Sequence, residues 1–235
     1  MNILVTGASK GIGKAIAQRL KAVGNVYGCA RNEHALKNTN LSGYCVCDLS
    51  KTQDLEILGK YIQDKNIDVL INNAGEYIYS KVDNIKITDL ERIIDVNLKA
   101  PIYLTKFALP YMKKQNWGRI INIGSISAVM GEAGACTYSA TKAGLIGFTK
   151  ATGLELAQYS ITVNTINPGW VDTDLGENSI EESEFSKEEI IQTIPQRRFV
   201  SPDEIASLVQ YLITEEAKGI TGQSINLCAG LSVGI

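Results

Sequence analysis

Three side chains in the middle of the sequence could move a proton to or from a carbonyl oxygen. Ser125 follows an apolar run, and Tyr138 and Lys142 share one face of a predicted helix. A free tyrosine has a pKa near ~10 and is a poor base at neutral pH, but a nearby ammonium group lowers that pKa. We therefore expect Tyr138 to exchange a proton with a substrate oxygen that Ser125 holds by a hydrogen bond. With hydride from a cofactor, these groups would interconvert a ketone and an alcohol.

The Tyr-x-x-x-Lys spacing occurs three times in the chain, so the spacing alone is weak. The other two matches begin at Tyr61 and Tyr77. Only the match at Tyr138 opens a helix shortly after a strand that ends in serines. We interpret the other two pairs as solvated side chains.

A glycine-rich turn follows the first apolar run, and it predicts a nucleotide site. Glycines allow a tight turn and a close approach of the backbone to an anion, and the next helix offers free N–H groups to a pyrophosphate. The spacing differs from the G-x-G-x-x-G pattern, and a plain turn between strand and helix is the alternative. The predicted phosphate-binding residues are Gly7, Ser9, Lys10, Gly11, Ile12 and Gly13.

The end of the second predicted strand favours NADP over NAD. A carboxylate at this place would bind a ribose 2′-hydroxyl, whereas arginine accommodates a 2′-phosphate. The sequence has Arg31 there, and Lys10 adds a second positive charge. The alternative is that Arg31 is solvated and that Glu33 contacts the ribose.

Short apolar runs alternate with longer segments of helical periodicity along the whole chain. Such alternation predicts parallel strands joined by crossover helices, with ligands bound at the carboxyl ends of the strands. We predict an α/β fold, a doubly wound parallel β-sheet of the Rossmann type in three α/β/α layers, as a single domain over residues 1–235. The predicted strands are 3–5, 25–30, 44–47, 68–71, 119–123, 161–166 and 224–227, and the main helices are 12–23, 54–62, 90–112 (one or two helices around Pro101), 138–159 and 202–212.

Composition excludes several other classes of protein. The chain of 235 residues is 45% hydrophobic, which argues against disorder, and its net charge of −2 argues against a nucleic-acid partner. A single histidine cannot build a histidine-rich metal site, and we predict no metal. No apolar run is long enough to span a membrane, and the N-terminus does not resemble a secretory signal. The five cysteines lack a C-x-x-C pair, so we expect reduced thiols and a cytoplasmic protein.

Together these motifs resemble the short-chain dehydrogenase/reductase family over nearly the whole chain. The resemblance also includes Asn-Asn-Ala-Gly after the fourth strand, Asn97, and Pro168-Gly169 with Thr173. It implies that Asn97, Ser125, Tyr138 and Lys142 are the catalytic residues, with Asn97 holding a water in a proton relay to Lys142. It further implies that the cofactor contacts include Asp48, Leu49, Asn73, Ala74, Gly75, Tyr138, Lys142, Pro168, Gly169, Val171 and Thr173. Asn97 as a helix-kink residue and Thr173 as a turn residue are the alternatives.

The closest likeness within the family is to the 3-oxoacyl-carrier-protein reductases, and this sets the expected activity. We expect an NADPH-dependent reductase of a ketone such as a 3-oxoacyl thioester. An NADP-dependent alcohol, sugar or steroid-type dehydrogenase and a non-catalytic dinucleotide-sensing protein are the alternatives. A carrier-protein partner is doubtful, because Asn116 and Tyr159 stand where these reductases carry arginines beside the active site.

Two further expectations concern the substrate lid and the assembly. We expect a lid around residues 174–195, rich in acidic side chains, which is either a solvated loop or a surface that disfavours anionic partners. Small residues on the helix that begins near Tyr138 resemble the interface of a homotetramer. They are Ala140, Ala143, Gly144 and Gly147.

Overall fold

The computed structural model of the protein describes residues 1–181 and 185–233, and its framework is one sheet of seven parallel strands. The strand order is β3-β2-β1-β4-β5-β6-β7. Every neighbouring pair is parallel. The strands are β1 (Asn2–Thr6), β2 (Asn25–Ala30), β3 (Gly43–Val46), β4 (Val69–Asn72), β5 (Gly118–Ile123), β6 (Ile161–Pro168) and β7 (Ser224–Leu227). The predicted fold class is confirmed.

Helices cover both faces of this sheet. They are α1 (Gly11–Leu20), α2 (Glu33–Lys37), α3 (Thr52–Asp64), α4 (Ile87–Ile94), α5 (Ala100–Gln115), α6 (Ser127–Met130), α7 (Cys136–Leu156), α8 (Asp174–Glu181), α9 (Lys187–Thr193) and α10 (Pro202–Leu212). Successive strand residues point to opposite faces, so Ile3 and Val5 join the core under α1 and α10, while Leu4 joins the core under α3 and α5. The central strands are therefore apolar on both sides, as the sequence indicates.

The segment predicted as one or two helices around Pro101 is continuous from α4 through a π-helical turn into α5. The π turn spans Asp95–Lys99. Pro101 directly follows this π turn, in the first turn of α5. The extra residue of a π turn rotates the side chains around it, and such turns occur often at functional sites.

The strand order places a crevice at the carboxyl ends of β1 and β4. The chain builds outward from β1 through β2 and β3, then returns to build β4 to β7 on the other side. Ligands of doubly wound sheets bind where this direction reverses. Among the described residues, no helix combines the length and apolar character needed to cross a membrane.

Candidate active site

A cleft of about 660 Å³ runs along the carboxyl ends of the strands. It brings together all but one of the residues predicted for the site. The predicted residues that line it are Gly7, Ser9, Lys10, Gly11, Ile12, Gly13, Arg31, Asp48, Leu49, Asn73, Ala74, Gly75, Ser125, Tyr138, Lys142, Pro168, Gly169, Val171 and Thr173. The exception is Asn97, which lies behind the cleft wall.

The glycine turn between β1 and α1 requires glycine at two positions, Gly7 and Gly13. Gly7 has φ +68°, a left-handed conformation that favours glycine. A Cβ on Gly13 would lie 2.3 Å from the carbonyl oxygen of Gly7, so only glycine lets α1 approach the turn this closely. Lys10 precedes the first helical residue and makes no side-chain capping bond, and no acidic residue lies in the first turn. The first N–H groups of α1 are therefore available to an anion.

Asn73 connects this turn to β4. Its side-chain nitrogen donates to the carbonyl oxygen of Thr6 at 2.8 Å, and its backbone N–H donates to the Thr6 hydroxyl at 2.9 Å. The backbone of Ala74 donates to the same hydroxyl at 2.9 Å. These bonds fix the spacing between the ends of the two central strands, which agrees with the steadying role that the family resemblance implies.

Alternating charges surround the end of the cleft near β2 and β3. Arg31 pairs with Glu76 at 3.0 Å, and the guanidinium of Arg92 binds the same carboxylate through two bonds of 2.7 Å. Arg92 also lies 3.9 Å from Asp48. The pKa of Asp48 is lowered: burial raises it, but hydrogen bonds from Ser50 and the nearby arginine charges outweigh that effect. Arg31 is thus held in place by Glu76, although its side chain is 61% exposed.

Two other charged residues near this end, Lys10 and Glu33, are paired with protein groups. Lys10 pairs with Asp174 at 3.1 Å, which links the glycine turn to the first residue of α8. Glu33 accepts a bond from Tyr44 at 3.2 Å and pairs with Lys37 at 3.0 Å, and it is absent from the cleft lining. The geometry therefore gives Arg31, and not Glu33, the position facing the cleft.

Ser125, Tyr138 and Lys142 come together at the other end of the cleft. Ser125 follows β5, and the other two residues lie in the first turns of α7, with the Lys142 ammonium 5.7 Å from the centre of the Tyr138 ring. Ser125 and Tyr138 both line this end of the cleft, and the Ser125 hydroxyl acts to lower the pKa of Tyr138. Lys142 donates to the carbonyl oxygen of Ile123 at 2.8 Å, which anchors α7 to the end of β5.

The expected lowering of the tyrosine pKa is wrong for the protein's own groups. Burial raises the pKa of Tyr138 to about 12; the hydrogen bond with Ser125 opposes this, and the charge of Glu132 reinforces it. Burial also lowers the pKa of Lys142 to about 8, because a charged amine loses its hydration there. The protein alone thus keeps Tyr138 in its protonated form at neutral pH, ready to donate.

Asn97 lies in the π turn, buried behind this end of the cleft. Its amide nitrogen donates to the carbonyl oxygen of Glu76, and its amide oxygen accepts from the backbone N–H of the same residue, both at 2.8 Å. A Cβ on Gly75 would lie 3.4 Å from both the Asn97 oxygen and the Lys142 ammonium. The glycine therefore keeps the space between these two groups open.

The sequence analysis misassigned Tyr77 and overlooked Glu132. Tyr77 lines the cleft, its ring packs edge-on against Tyr138 at 5.2 Å, and it donates to Glu132 at 2.8 Å, so its interpretation as a solvated side chain was wrong. Tyr61, from the remaining match, is half-buried against the ring of Tyr27. Glu132 also accepts from Ser127 at 2.6 Å. It comes shortly after the serines, and a carboxylate in that loop was a signal that could have been noticed.

The residues present fit a nicotinamide dinucleotide. The side-chain-free turn at Gly7 and Gly13 matches a pyrophosphate, and the exposed guanidinium of Arg31 lies at one end of the same cleft. At the other end, Ser125 and Tyr138 place two hydroxyl groups that can exchange protons. When bound there, the nicotinamide would supply the hydride. Among the described residues, no cluster of histidine, cysteine and acidic side chains could hold a metal ion.

Comparisons with known proteins identify the family of this chain. The family described as short chain dehydrogenase matches residues 1–184. A 3-oxoacyl-[acyl-carrier-protein] reductase from Synechocystis sp. is 39% identical, with 97% of this chain and 95% of the relative covered. A D-beta-hydroxybutyrate dehydrogenase from Cupriavidus necator is 35% identical, with 97% of this chain and 96% of the relative covered.

Solved structures extend the comparison to the whole fold. A variant of actinorhodin polyketide ketoreductase, solved with NADPH, has 35% sequence identity and a TM-score of 0.91, covering 99% of this chain and 97% of that chain. YwfH, an NADPH-dependent reductase involved in bacilysin biosynthesis, has 32% sequence identity and a TM-score of 0.93, covering 100% of this chain and 99% of that chain. The fold and site are those of an oxidoreductase that acts on carbonyl or hydroxyl groups. The chain belongs to the short-chain dehydrogenase family.

One expectation drawn from the reductase likeness needs correction. Asn116 directly follows α5 and Tyr159 lies just before β6, so both belong to the amino-end edge of the sheet. The cleft lies at the opposite edge. Within one chain these two positions are therefore not beside the active site, and the ring of Tyr159 is covered by the cation of Lys113 at 4.8 Å.

Proposed function

We propose that this protein is an NADPH-dependent reductase that converts an uncharged ketone, such as a 3-oxoacyl thioester, to a secondary alcohol. The observation that carries the proposal is that Ser125 and Tyr138 line the same cleft as the glycine turn, with the Lys142 ammonium 5.7 Å from the centre of the Tyr138 ring. In this proposal Ser125 orients the ketone oxygen, and Tyr138 gives it a proton as the carbon is reduced. Burial supports the direction, because it keeps the phenol protonated at neutral pH.

The remaining predicted residues take supporting roles in this proposal. Lys142 would bind the nicotinamide ribose, and Asn97 would hold the relay that leads to Lys142. Arg31 would face the 2′-phosphate, which favours NADPH. One of the two solved structures contains NADPH, and the other is of an NADPH-dependent reductase. The other contacts would be those that line the cleft: the glycine turn with Ser9, Lys10 and Ile12; Asp48 and Leu49 at the adenine; Asn73, Ala74 and Gly75; and Pro168, Gly169, Val171 and Thr173 at the nicotinamide.

Charge within the cleft supports an uncharged substrate over a carboxylate. In the described part of the chain, each cation that lines the cleft is bonded to a protein oxygen: Lys10 to Asp174, Arg31 to Glu76, and Lys142 to the backbone of Ile123. Glu132 adds a negative charge close to Ser127, which is next to the reacting groups. A substrate carboxylate would therefore meet no available cation and one like charge. This disfavours free 3-oxo acids and 3-hydroxy acids.

The segment around residues 174–195, between β6 and α10, is proposed as the substrate lid. Within it, α8 contributes Leu175, Gly176 and Ser179 to the cleft lining. Two of the acidic side chains of the predicted lid, Glu182 and Glu184, lie outside the described residues. Whether a carrier protein is a partner is a separate question. It is tested by comparing the activity on a carrier-bound thioester with the activity on a free thioester.

A homotetramer and a cytoplasmic location are further proposals. Ala140, Ala143 and Gly147 lie exposed along α7, and nothing within the described part of the chain would contact a Cβ on Gly147. Such a strip of small residues allows a second helix to pack closely. Light scattering after size exclusion would measure the assembly, and a monomer would refute the tetramer.

The test is an NADPH-oxidation assay with an acetoacetyl thioester, free acetoacetate and a simple ketone. We expect turnover of the thioester well above that of acetoacetate. Tyr138→Phe should lose turnover and keep NADPH binding, whereas Tyr211→Phe, on the exposed side of α10, should behave as wild type. Unchanged turnover in Tyr138→Phe would refute the proton donor. NADPH binding without turnover of any carbonyl compound would favour the non-catalytic alternative, and a preference for sugars or simple alcohols would favour the dehydrogenase alternative.

A further inference from the structure

Two arginines bind the same carboxylate at the end of the cleft near β2. Glu76, which follows β4, accepts two bonds of 2.7 Å from Arg92 of α4 and pairs with Arg31 at 3.0 Å. The side chain of Glu76 is only 19% exposed. Arg31 and Glu76 line the cleft, and Arg92 is not among the described residues that line it. The carboxylate therefore connects an arginine that faces the cleft to an arginine that does not.

The two arginines are held by Glu76 with unequal strength. Arg92 offers Nε and Nη2 to the two carboxylate oxygens, and such parallel bonds are the strongest form of this ion pair. A bond of 3.2 Å from its Nη1 to the hydroxyl group of Ser50 fixes the guanidinium further. Arg31, in contrast, pairs through Nη1 and is largely exposed, so water competes for this contact. Of the two arginines, Arg31 is the one that Glu76 releases more readily.

A cofactor phosphate at Arg31 would bring a like charge close to Glu76. A phosphate monoester carries about two negative charges at neutral pH. When Arg31 turns from Glu76 to such a group, the carboxylate stays nearby, and the repulsion between like charges opposes binding unless another cation neutralises the carboxylate. Arg92 supplies that cation without giving up any of its bonds in the structure.

We propose that Arg92 sets the preference for NADPH over NADH by neutralising Glu76, which leaves Arg31 free to bind the 2′-phosphate. The inference rests on the proposed function, which assigns Arg31 to that phosphate. Arg92 acts here through Glu76 and needs no contact with the cofactor, so it is a positioning residue.

A second contact of Arg92 must be separated from this effect. Arg92 also lies 3.9 Å from the carboxylate of Asp48, to which Ser50 donates at 2.8 Å. Loss of Arg92 would therefore disturb Asp48, which is proposed to lie at the adenine. The adenine is common to NADPH and NADH, whereas the 2′-phosphate belongs to NADPH alone. The ratio of the two dissociation constants therefore isolates the effect at the phosphate.

The experiment is isothermal titration with NADPH and with NADH, which needs no turnover. Arg92→Gln should weaken NADPH binding about fivefold and change NADH binding by less than about twofold, the size expected for a partly exposed charge pair. Adding Glu76→Gln to Arg92→Gln should restore at least the wild-type affinity for NADPH, because no carboxylate is left to neutralise. Such non-additivity is the signature of two residues that act together. Arg92→Lys keeps the charge and should keep most of the preference.

Arg198→Gln is the matched control. Arg198 also binds a carboxylate through two bonds, to Glu204 at 2.7 and 2.9 Å, and neither residue is among the described residues of the cleft lining. Its loss should leave both dissociation constants at their wild-type values. Wild-type binding of NADH by Arg92→Gln would show in addition that this variant is folded.

The outcomes separate this inference from the proposed function. An unchanged ratio of the dissociation constants in Arg92→Gln, or equal weakening of NADPH and NADH, would overturn the role of Arg92. A loss of NADPH affinity that Glu76→Gln does not restore would also overturn it, because Arg92 would then not act through Glu76. A wild-type protein that binds NADH more tightly than NADPH would refute the cofactor assignment of the proposed function and this inference with it.

Discussion

Lys142 should make the folded protein less stable at neutral pH, and replacing it should show this. Burial lowers the pKa of Lys142 from 10.5 to about 8. At roughly 1.4 kcal/mol for each pH unit, keeping this amine charged inside the fold costs about 3 kcal/mol. Lys142→Met removes that cost and also removes the 2.8 Å bond to the carbonyl of Ile123, which costs about 1–3 kcal/mol when a buried acceptor loses its donor. We expect a net stabilisation of about 1 kcal/mol at pH 7, with loss of turnover.

The pH dependence of this difference is the sharper test. Below pH 8 the folded and unfolded chains both hold the proton, and the full cost is present. Between pH 8 and 10.5 the unfolded chain binds more protons than the folded chain, so the stability of the wild type rises with pH relative to the variant. The advantage of Lys142→Met should therefore shrink by about 3 kcal/mol over this interval and reverse in sign, leaving only the lost bond.

The assay is urea unfolding at fixed protein concentration, followed by tryptophan fluorescence between pH 7 and 10. Taking the difference between variant and wild type cancels the titration of the buried tyrosine and cysteine side chains. Lys150→Met, an exposed lysine of the same helix, is the control and should change the free energy of unfolding by less than about 0.5 kcal/mol at every pH. A difference between Lys142→Met and wild type that stays constant from pH 7 to 10 would refute the reasoning.

Three further predictions concern the cleft. Gly13→Ala places a methyl group 2.3 Å from the Gly7 carbonyl oxygen and should lower the free energy of unfolding by about 1–3 kcal/mol and remove most NADPH affinity. Thermal unfolding measures the stability and fluorescence titration measures the affinity. Unchanged affinity would contradict the fit of the glycine turn to the cofactor. Glu76→Gln frees Arg31 from its ion pair and should raise the preference for NADPH over NADH, measured as the ratio of kcat/KM values, about two- to fivefold. The effect is small because the pair is exposed. A fall in that preference would contradict the assignment of Arg31 to the 2′-phosphate. Gly75→Ala fills the space between the Asn97 amide and the Lys142 ammonium and should lower kcat about tenfold without changing the melting temperature. A kcat equal to that of the wild type would show that the reaction does not use this space.

Much of the fold follows from periodicity alone. A strand buried on both faces is a short apolar run, and a covering helix repeats its apolar residues at helical spacing, so both signals are strong here. The helices that sequence reasoning missed are those where this signal fails. Three of them are too short to show a clear period: Glu33–Lys37, Ser127–Met130 and Lys187–Thr193. The fourth, Asp174–Glu181, begins in a segment dominated by acidic residues.

The candidate site was predictable where its residues are close in sequence. The glycine turn and the pair formed by Tyr138 and Lys142 are local patterns, and the structure brings both to one cleft. Tyr77 and Glu132 are 55 residues apart, and no local pattern connects them. The pKa of Tyr138 was misjudged for a related reason: a neighbouring charge can be read from the sequence, whereas the extent of burial depends on the complete fold.

The order of strands has a consequence for the way the chain is made. Each strand pairs with one that precedes it in the sequence: β2 and β4 with β1, β3 with β2, and β5, β6 and β7 each with the strand before it. During synthesis on the ribosome, the strand with which each new strand pairs has therefore already been synthesised. No strand after β1 has to wait for a later strand before it can join the sheet. We expect the glycine turn and the strands beside it to become ordered first. The end of the cleft with Ser125, Tyr138 and Lys142 should be completed only once β6 has left the ribosome.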